Sequence, residues 1–228
     1  MLTVSTTTLE GRDPGGGGWL GAGMRESLLE INREGLALFA EQAAATLPPH
    51  PTLRQIGDLL RMLDEPSRTR AASCPFLLVG AGFEELSGAQ PGRLIRVADA
   101  PAAPAAARAQ PLARAVFVYA WTLVRTQPAA ARLVLGIHPL CAQWLAERTV
   151  TQVHALAELQ GEALRPRWPS RTGLWRELLQ AAARADAPAL ERAHMHGVRL
   201  IAGEAWGAVP ERPRPRATPA RAASLTAA

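Results

Sequence analysis

The chain contains no lysine: all 25 of its basic residues are arginine. With the excess of alanine, glycine and proline, this reads as a coding bias, so the arginine count by itself assigns no function. Against 20 acidic residues the formal net charge is +5, which permits nucleic-acid binding without establishing it. Cysteine is scarce as well. Cys74 and Cys141 lie far apart, form no CxxC or Cys/His spacing, and fall short of the roughly four ligands of a structural zinc site. Two buried thiols are expected rather than a disulfide, and no metal or other cofactor. No apolar run of about 18 residues is free of Arg, Glu, Pro or Gly, so no membrane-spanning helix is expected. The first residues offer neither a basic segment nor an apolar one in the manner of a secretion signal, and the expected location is the cytoplasm. Aromatics amount to only 5%, so the six tryptophans carry much of the large-side-chain packing.

Catalytic constellations are missing too. The glycines of Gly80-Ala81-Gly82-Phe83 do not make a GxGxxG, and no Lys-Ser/Thr pair follows, which excludes a Walker phosphate loop. A turn or bulge is the simpler reading. His194 and His196 stand two apart on a helical pattern and point to different faces, unlike an i, i+4 metal pair. His50 and His138 each precede a proline and read as turn residues. No Gly-x-Ser-x-Gly elbow and no convergent carboxylate pair is present, and Cys141 with His154 lacks an orienting third group. The chain is not expected to be an enzyme.

What is present is helical periodicity. Residues 1–23, with glycines at 15–18, are expected to be disordered. Apolar positions at near-3.6 spacing predict helices over Met24–Ala45 and Thr52–Leu63, the second stopped by Pro66. Pro75–Phe83 is the best strand candidate, and Leu94–Val97 a weaker partner for it in a short hairpin. An Ala/Pro linker is expected over 98–111, so that 24–97 forms a smaller N-terminal unit and 112–203 a helical domain.

Beyond the linker the helix signals are dense. Leu112–Thr126 carries an apolar face, and Pro128 and Pro139 suit helix first turns. Gly136 supplies a left-handed stop. Thr149 and Gln152 form a capping box for a helix closed by Gly161. Ala163–Trp168 should be extended, because Pro166 and Pro169 restrict the residues before them. Ser170 and Asp186 are expected to cap two final helices, and residues 204–228 to form a disordered Pro/Arg tail.

In order, these features are a long helix, then Leu135-Gly136-Ile137, Leu145-Ala146, Thr149 with Gln152, Leu156-Ala157-Glu158, the exit Arg167-Trp168 and two amphipathic helices. The series resembles FlhD, a subunit of the flagellar master transcription regulator of proteobacteria. The resemblance spans about Leu112 to Gly203 and implies a mainly α protein with a five-helix dimerisation domain. It further implies a homodimer that regulates transcription of flagellar or related genes, binding DNA directly or through an FlhC-like zinc-binding partner. Two departures stand out. Leu164 occupies the place of the family's cysteine, so no intersubunit disulfide is carried over. The first 110 residues have no counterpart, although Glu30-Ile31-Asn32…Leu36 also resembles the family's opening helix.

Two nucleic-acid sites follow from the residues. A helix-turn-helix reading would place a recognition helix at Val150, with Gln152 and His154 facing the groove; against it, that helix exposes no arginine and carries Glu158. Core packing is the competing account. The cluster Arg165, Arg167, Arg171 and Arg176 suits phosphate contact from an extended segment beside a capped helix, and a solvated edge is the alternative. Trp168 and Trp175 are expected in the core or at a dimer interface. Leu112, Val116, Tyr119, Leu123, Leu190 and Val198 are the expected dimer surface. The rival function is a protein–protein adaptor that keeps the fold and binds no DNA.

Overall fold

A computed structural model describes residues 19–46, 48–83 and 106–207. The candidate strand Leu94–Val97, most of the proposed linker and the expected tail from 208 onward lie outside these residues. Among the described residues there are nine α-helices and two very short strands. Helices α1 (Ala22–Ala43), α2 (Pro51–Met62) and α3 (Glu65–Ala72) come first, then β1 (Val79–Gly80). After the gap follow α4 (Ala106–Thr126), α5 (Pro128–Leu135), α6 (Pro139–Ala146) and α7 (Val150–Gln160). A 3₁₀ turn (Gly161–Ala163), β2 (Arg165–Pro166), α8 (Thr172–Ala183) and α9 (Ala187–Gly207) complete the order. The fold is mainly α. Six helices lie between Ala106 and Gly207, one more than the expected five-helix domain. No helix among the described residues is long and apolar enough to cross a membrane.

Most helix ends follow from local chemistry. Pro128 and Pro139 occupy first turns, where a missing N–H costs nothing. Gly136 stops α5 at φ 63°, a conformation that favours glycine. The reciprocal Thr149–Gln152 capping box starts α7, and Asp186 Oδ1 accepts the Ala189 N–H at 2.9 Å to start α9.

Several expectations are corrected. Pro66 is not what stops α2, which ends at Met62 with Leu63 extended; it sits in the first turn of α3, which Asp64 caps by accepting the Ser67 N–H at 2.8 Å. Ser170 is not a cap, since α8 begins one residue later with Arg171 at the cap position and no side-chain bond. The linker ends sooner than residue 111: α4 starts at Ala106 and keeps Pro111 inside it. That proline gives up a single i→i−4 bond close to the helix start, where few turns precede it. The helix at the other end continues to Gly207, past the expected end at 203.

The run Pro75–Phe83 contributes only Val79–Gly80 to a strand, and its partner is β2, antiparallel, with Val79 opposite Pro166. The rest of its backbone is satisfied elsewhere. Leu77 N–H donates to Val134 O at 3.0 Å, and Leu78 N–H to Asn32 Oδ1 at 2.8 Å. A buried segment must pair its amides, and here helix ends and one side chain replace a ladder.

α4 lies at the centre, packed against α1, α5, α6 and α7. α8 packs against α2, α3 and α9, and α9 reaches back to α5. One core runs through both sets: Leu36, Phe39, Ile56 and Leu77 from the first half, Phe117, Leu123, Val134 and Trp175 from the second. Phe39 meets Trp175 edge-on at 6.1 Å between ring centroids, and Phe76 meets Trp168 at 5.3 Å.

Candidate nucleic-acid interface

The extended exit from α7 carries the chain across α2 before α8 begins. His50 caps α2, its Nδ1 accepting the Thr52 N–H at 3.3 Å. The Thr52 hydroxyl then donates to Pro169 O at 2.5 Å. Further along, Arg176 donates to Gln55 O at 3.5 Å. These contacts set the N-terminus of α2 beside the N-terminus of α8.

Neither helix has an acidic residue in its first turn. The aligned N–H groups of a helix start attract anions. At α2 they are already used, since Pro51 has none and those of Thr52 and Leu53 donate to His50, so this attraction belongs to the start of α8. Arg54, Arg171 and Arg176 are exposed, and Arg165 is half-buried. The field is felt locally: burial, and then the Arg165 charge, hold His50 below the usual imidazole range. Of the acids on α2 and α8, Asp58 pairs with Arg61, while Glu177 lies 3.6 Å from His196 Nδ1, an ion pair only when that imidazole is protonated. Chemically the edge suits phosphate oxygens.

Arg167 does not belong to this edge. It is 9% exposed, and its guanidinium donates to Leu77 O at 3.3 Å and Val134 O at 3.1 Å. It also lies over the Trp168 ring at 4.8 Å. Its backbone N–H reaches Leu78 O, and its carbonyl accepts the Trp175 indole N–H at 2.7 Å. The C-terminal carbonyls of α5 need donors, and a fixed cation there meets the negative end of the helix. Arg167 is a tie between elements. Trp168 and Trp175 are core residues, as expected for one of their two roles.

Gln152 and His154 are not brought to the arginines. They sit on α7, which packs along α4, whereas Arg171 and Arg176 mark the start of α8 against α2. The Gln152 side chain is committed to the capping box, its Oε1 accepting the Thr149 N–H at 3.0 Å. His154 is half-buried. The outer face of α7 shows Val150, Thr151, Ala155, Glu158 and Leu159, with Glu158 paired to Arg114 at 3.5 Å. An apolar and acidic face is poorly made for a major groove.

Four of the six residues expected at a dimer surface are spent inside the chain. Leu112, Val116, Tyr119 and Leu123 are buried in its own core, and Leu190 and Val198 pack half-buried against that core. The four enclosed side chains have no surface left for a second copy, whereas Leu190 and Val198 keep part of theirs. Two contributors went unnoticed in the sequence, His50 as a cap and Arg54. The signal for them was the X-Pro helix start, since the residue before a first-turn proline sits at the cap position and the same turn carries Arg54. No protein-family model matches the chain, and neither a curated protein nor a solved structure is significantly similar to it.

Proposed function

We propose that this protein is a DNA-contacting transcriptional regulator of the FlhD kind, controlling flagellar or related genes as a homodimer, alone or with an FlhC-like partner. The observation that supports the reading is the basic edge, where the acid-free start of α8 lies beside the start of α2 and the two segments carry arginines at 54, 165, 171 and 176. Contact of this type reads the phosphate backbone and positions the protein; it does not by itself select a sequence.

Fluorescence anisotropy on random duplex DNA across a salt series tests it. Micromolar binding at low salt that weakens steeply as salt rises is expected, as counterions are released from contacted phosphates. Replacing Arg171 and Arg176 together by alanine should weaken binding about tenfold and flatten the salt slope by about two. Arg167→Ala is the wrong probe, because it removes a buried tie. Absence of binding at low salt, or binding indifferent to the double substitution, overturns the assignment.

The adaptor reading has its own support in apolar side chains left in water on α5 to α7: Leu133, Leu140 (65% exposed), Val150 and Leu159. Such residues suit a protein partner. The same titration separates the two readings, since an adaptor leaves the DNA anisotropy unchanged.

A further inference from the structure

Where the end of α4 meets the junction of α6 and α7, two half-buried tryptophans each carry an arginine. Arg125 rests over the Trp121 ring at 4.6 Å, and Arg148 over the Trp144 ring at 4.8 Å. Arg148 joins the two pairs. Its carbonyl accepts the Trp121 indole N–H at 2.8 Å, and its Nε donates to Trp144 O at 3.1 Å. Leu140 stands one helix turn before Trp144 on the same face of α6 and is 65% exposed. Val150 opens α7 two residues after Arg148 and is 49% exposed. Apolar and cationic groups thus meet in one patch drawn from three helices.

The charge here is of one sign. From Ala115 to Ala157 the only acid is Glu147, against Arg125, Arg132 and Arg148. Glu147 reaches Arg148 at 3.9 Å, and Arg125 has no carboxylate partner among the described residues. A guanidinium resting on a ring is held in place there and keeps its N–H edges for a carboxylate. Each tryptophan has its ring against an arginine on one side and the core on the other, so neither is a platform for a stacking base. The Trp121 N–H is spent inside the chain, whereas tryptophans at a lipid surface keep that end wet. A second copy across a two-fold axis would set arginines against arginines. What matches the patch is a chain that carries carboxylates and apolar side chains together. Tryptophan and arginine are also the side chains that dominate protein interfaces.

We propose that the face around Trp121 and Trp144 docks an acidic segment of another protein, with carboxylates on Arg125 and Arg148 and apolar side chains on Leu140 and Val150. The proposal rests on the apolar surface that supports the adaptor reading and names the chemistry of its partner. The basic edge lies elsewhere, on α2 and α8. The adaptor reading is judged by DNA anisotropy and this proposal by peptide binding, so either can fail alone.

Fluorescence anisotropy of the full chain with a fluorescein-labelled peptide repeating Glu-Leu-Leu-Glu tests it, beside the same peptide with Gln in place of Glu. The acidic peptide should bind with a Kd of roughly 10–100 µM, and the neutral one about tenfold more weakly. Arg125→Glu combined with Leu140→Asp changes two exposed side chains. It should leave the circular dichroism unchanged and weaken the acidic peptide by about tenfold or more. Arg199→Glu makes the same charge change at an exposed position of α9 and should leave the affinity within about twofold. No binding of the acidic peptide, equal binding of the two peptides, or indifference to the double substitution overturns the site. An equal loss in Arg199→Glu does so too, because the attraction would then be to net charge. The double variant is also titrated with vesicles containing phosphatidylserine and with random duplex DNA. Weakened binding of either assigns the face to lipid or to nucleic acid, and a halved mass in light scattering assigns it to a second copy of the chain. Each of these three results overturns the proposal.

Discussion

Asn32 is a polar residue in the middle of α1, fully buried, on the same stripe as Leu28 and Leu36. Its amide donates to Phe76 O at 2.9 Å and Ala72 O at 3.2 Å, and its Oδ1 accepts the Leu78 N–H. One side chain therefore serves the loop that leads from α3 into β1, where no strand partner is available. Asn32→Ala strands three buried backbone groups, and each such loss costs about 1–3 kcal/mol. A drop of about 3 kcal/mol or more is expected, read as a fall in the urea midpoint with an unchanged slope. Asn32→Asp should recover little, because a carboxylate faces two carbonyl oxygens. The helix around Asn32 was legible in the sequence and its role was not, since apolar periodicity counts only apolar residues. The one signal was position: Asn32 falls four residues after Leu28 and four before Leu36. Arg167 was misread for a related reason. An arginine beside two prolines reads as exposed, and nothing local announces that the end of α5, thirty-odd residues earlier in the chain, offers its carbonyls there.

Helix starts were the most legible elements, because a cap and its N–H partner lie within three residues of each other. Thr149 with Gln152, and Asp186 with Ala189, needed no tertiary context. Pro66 shows the limit: the same residue can stop one helix or open another, and Asp64 two residues before it settles which. The stop of α8 was missed altogether, since it carries no glycine. Ala185 takes φ 54° there, while the Asp186 N–H reaches back to Ala181 O at 3.0 Å. A left-handed alanine costs about 1–2 kcal/mol relative to a permitted conformation, and glycine adopts it freely. Ala185→Gly should therefore stabilise the protein by about 1 kcal/mol, after the entropy that glycine adds to the unfolded chain is subtracted. Thermal melting followed by circular dichroism checks it. A lower midpoint than that of the parent would show that the helix stop is not strained.

At the scale of the molecule, composition suggested two units joined near residues 98–111, yet the contacts bind them into one core. Phe39 packs on Trp175, and the Arg70 guanidinium donates to Ala182 O at 2.8 Å. A Cβ placed on Gly197 of α9 would come within 2.2 Å of Phe76 Cζ, so that helix lies directly on the first half of the chain. β1 and β2, from opposite sides of the gap, pair with each other. Such pairings between distant segments leave no trace in local periodicity, which is why the elements were readable and their assembly was not. A shared core makes unfolding cooperative. Tryptophan fluorescence, which reports chiefly on the second half through Trp168 and Trp175, should trace the same urea transition as far-UV circular dichroism, which also counts α1 to α3. The fragment 106–207 made alone should fail to show a cooperative transition, because it exposes the faces of Phe117, Trp168 and Trp175 that the first half covers. A sharp transition in that fragment, or two separated steps in the intact chain, would restore the boundary that the Ala/Pro stretch suggested.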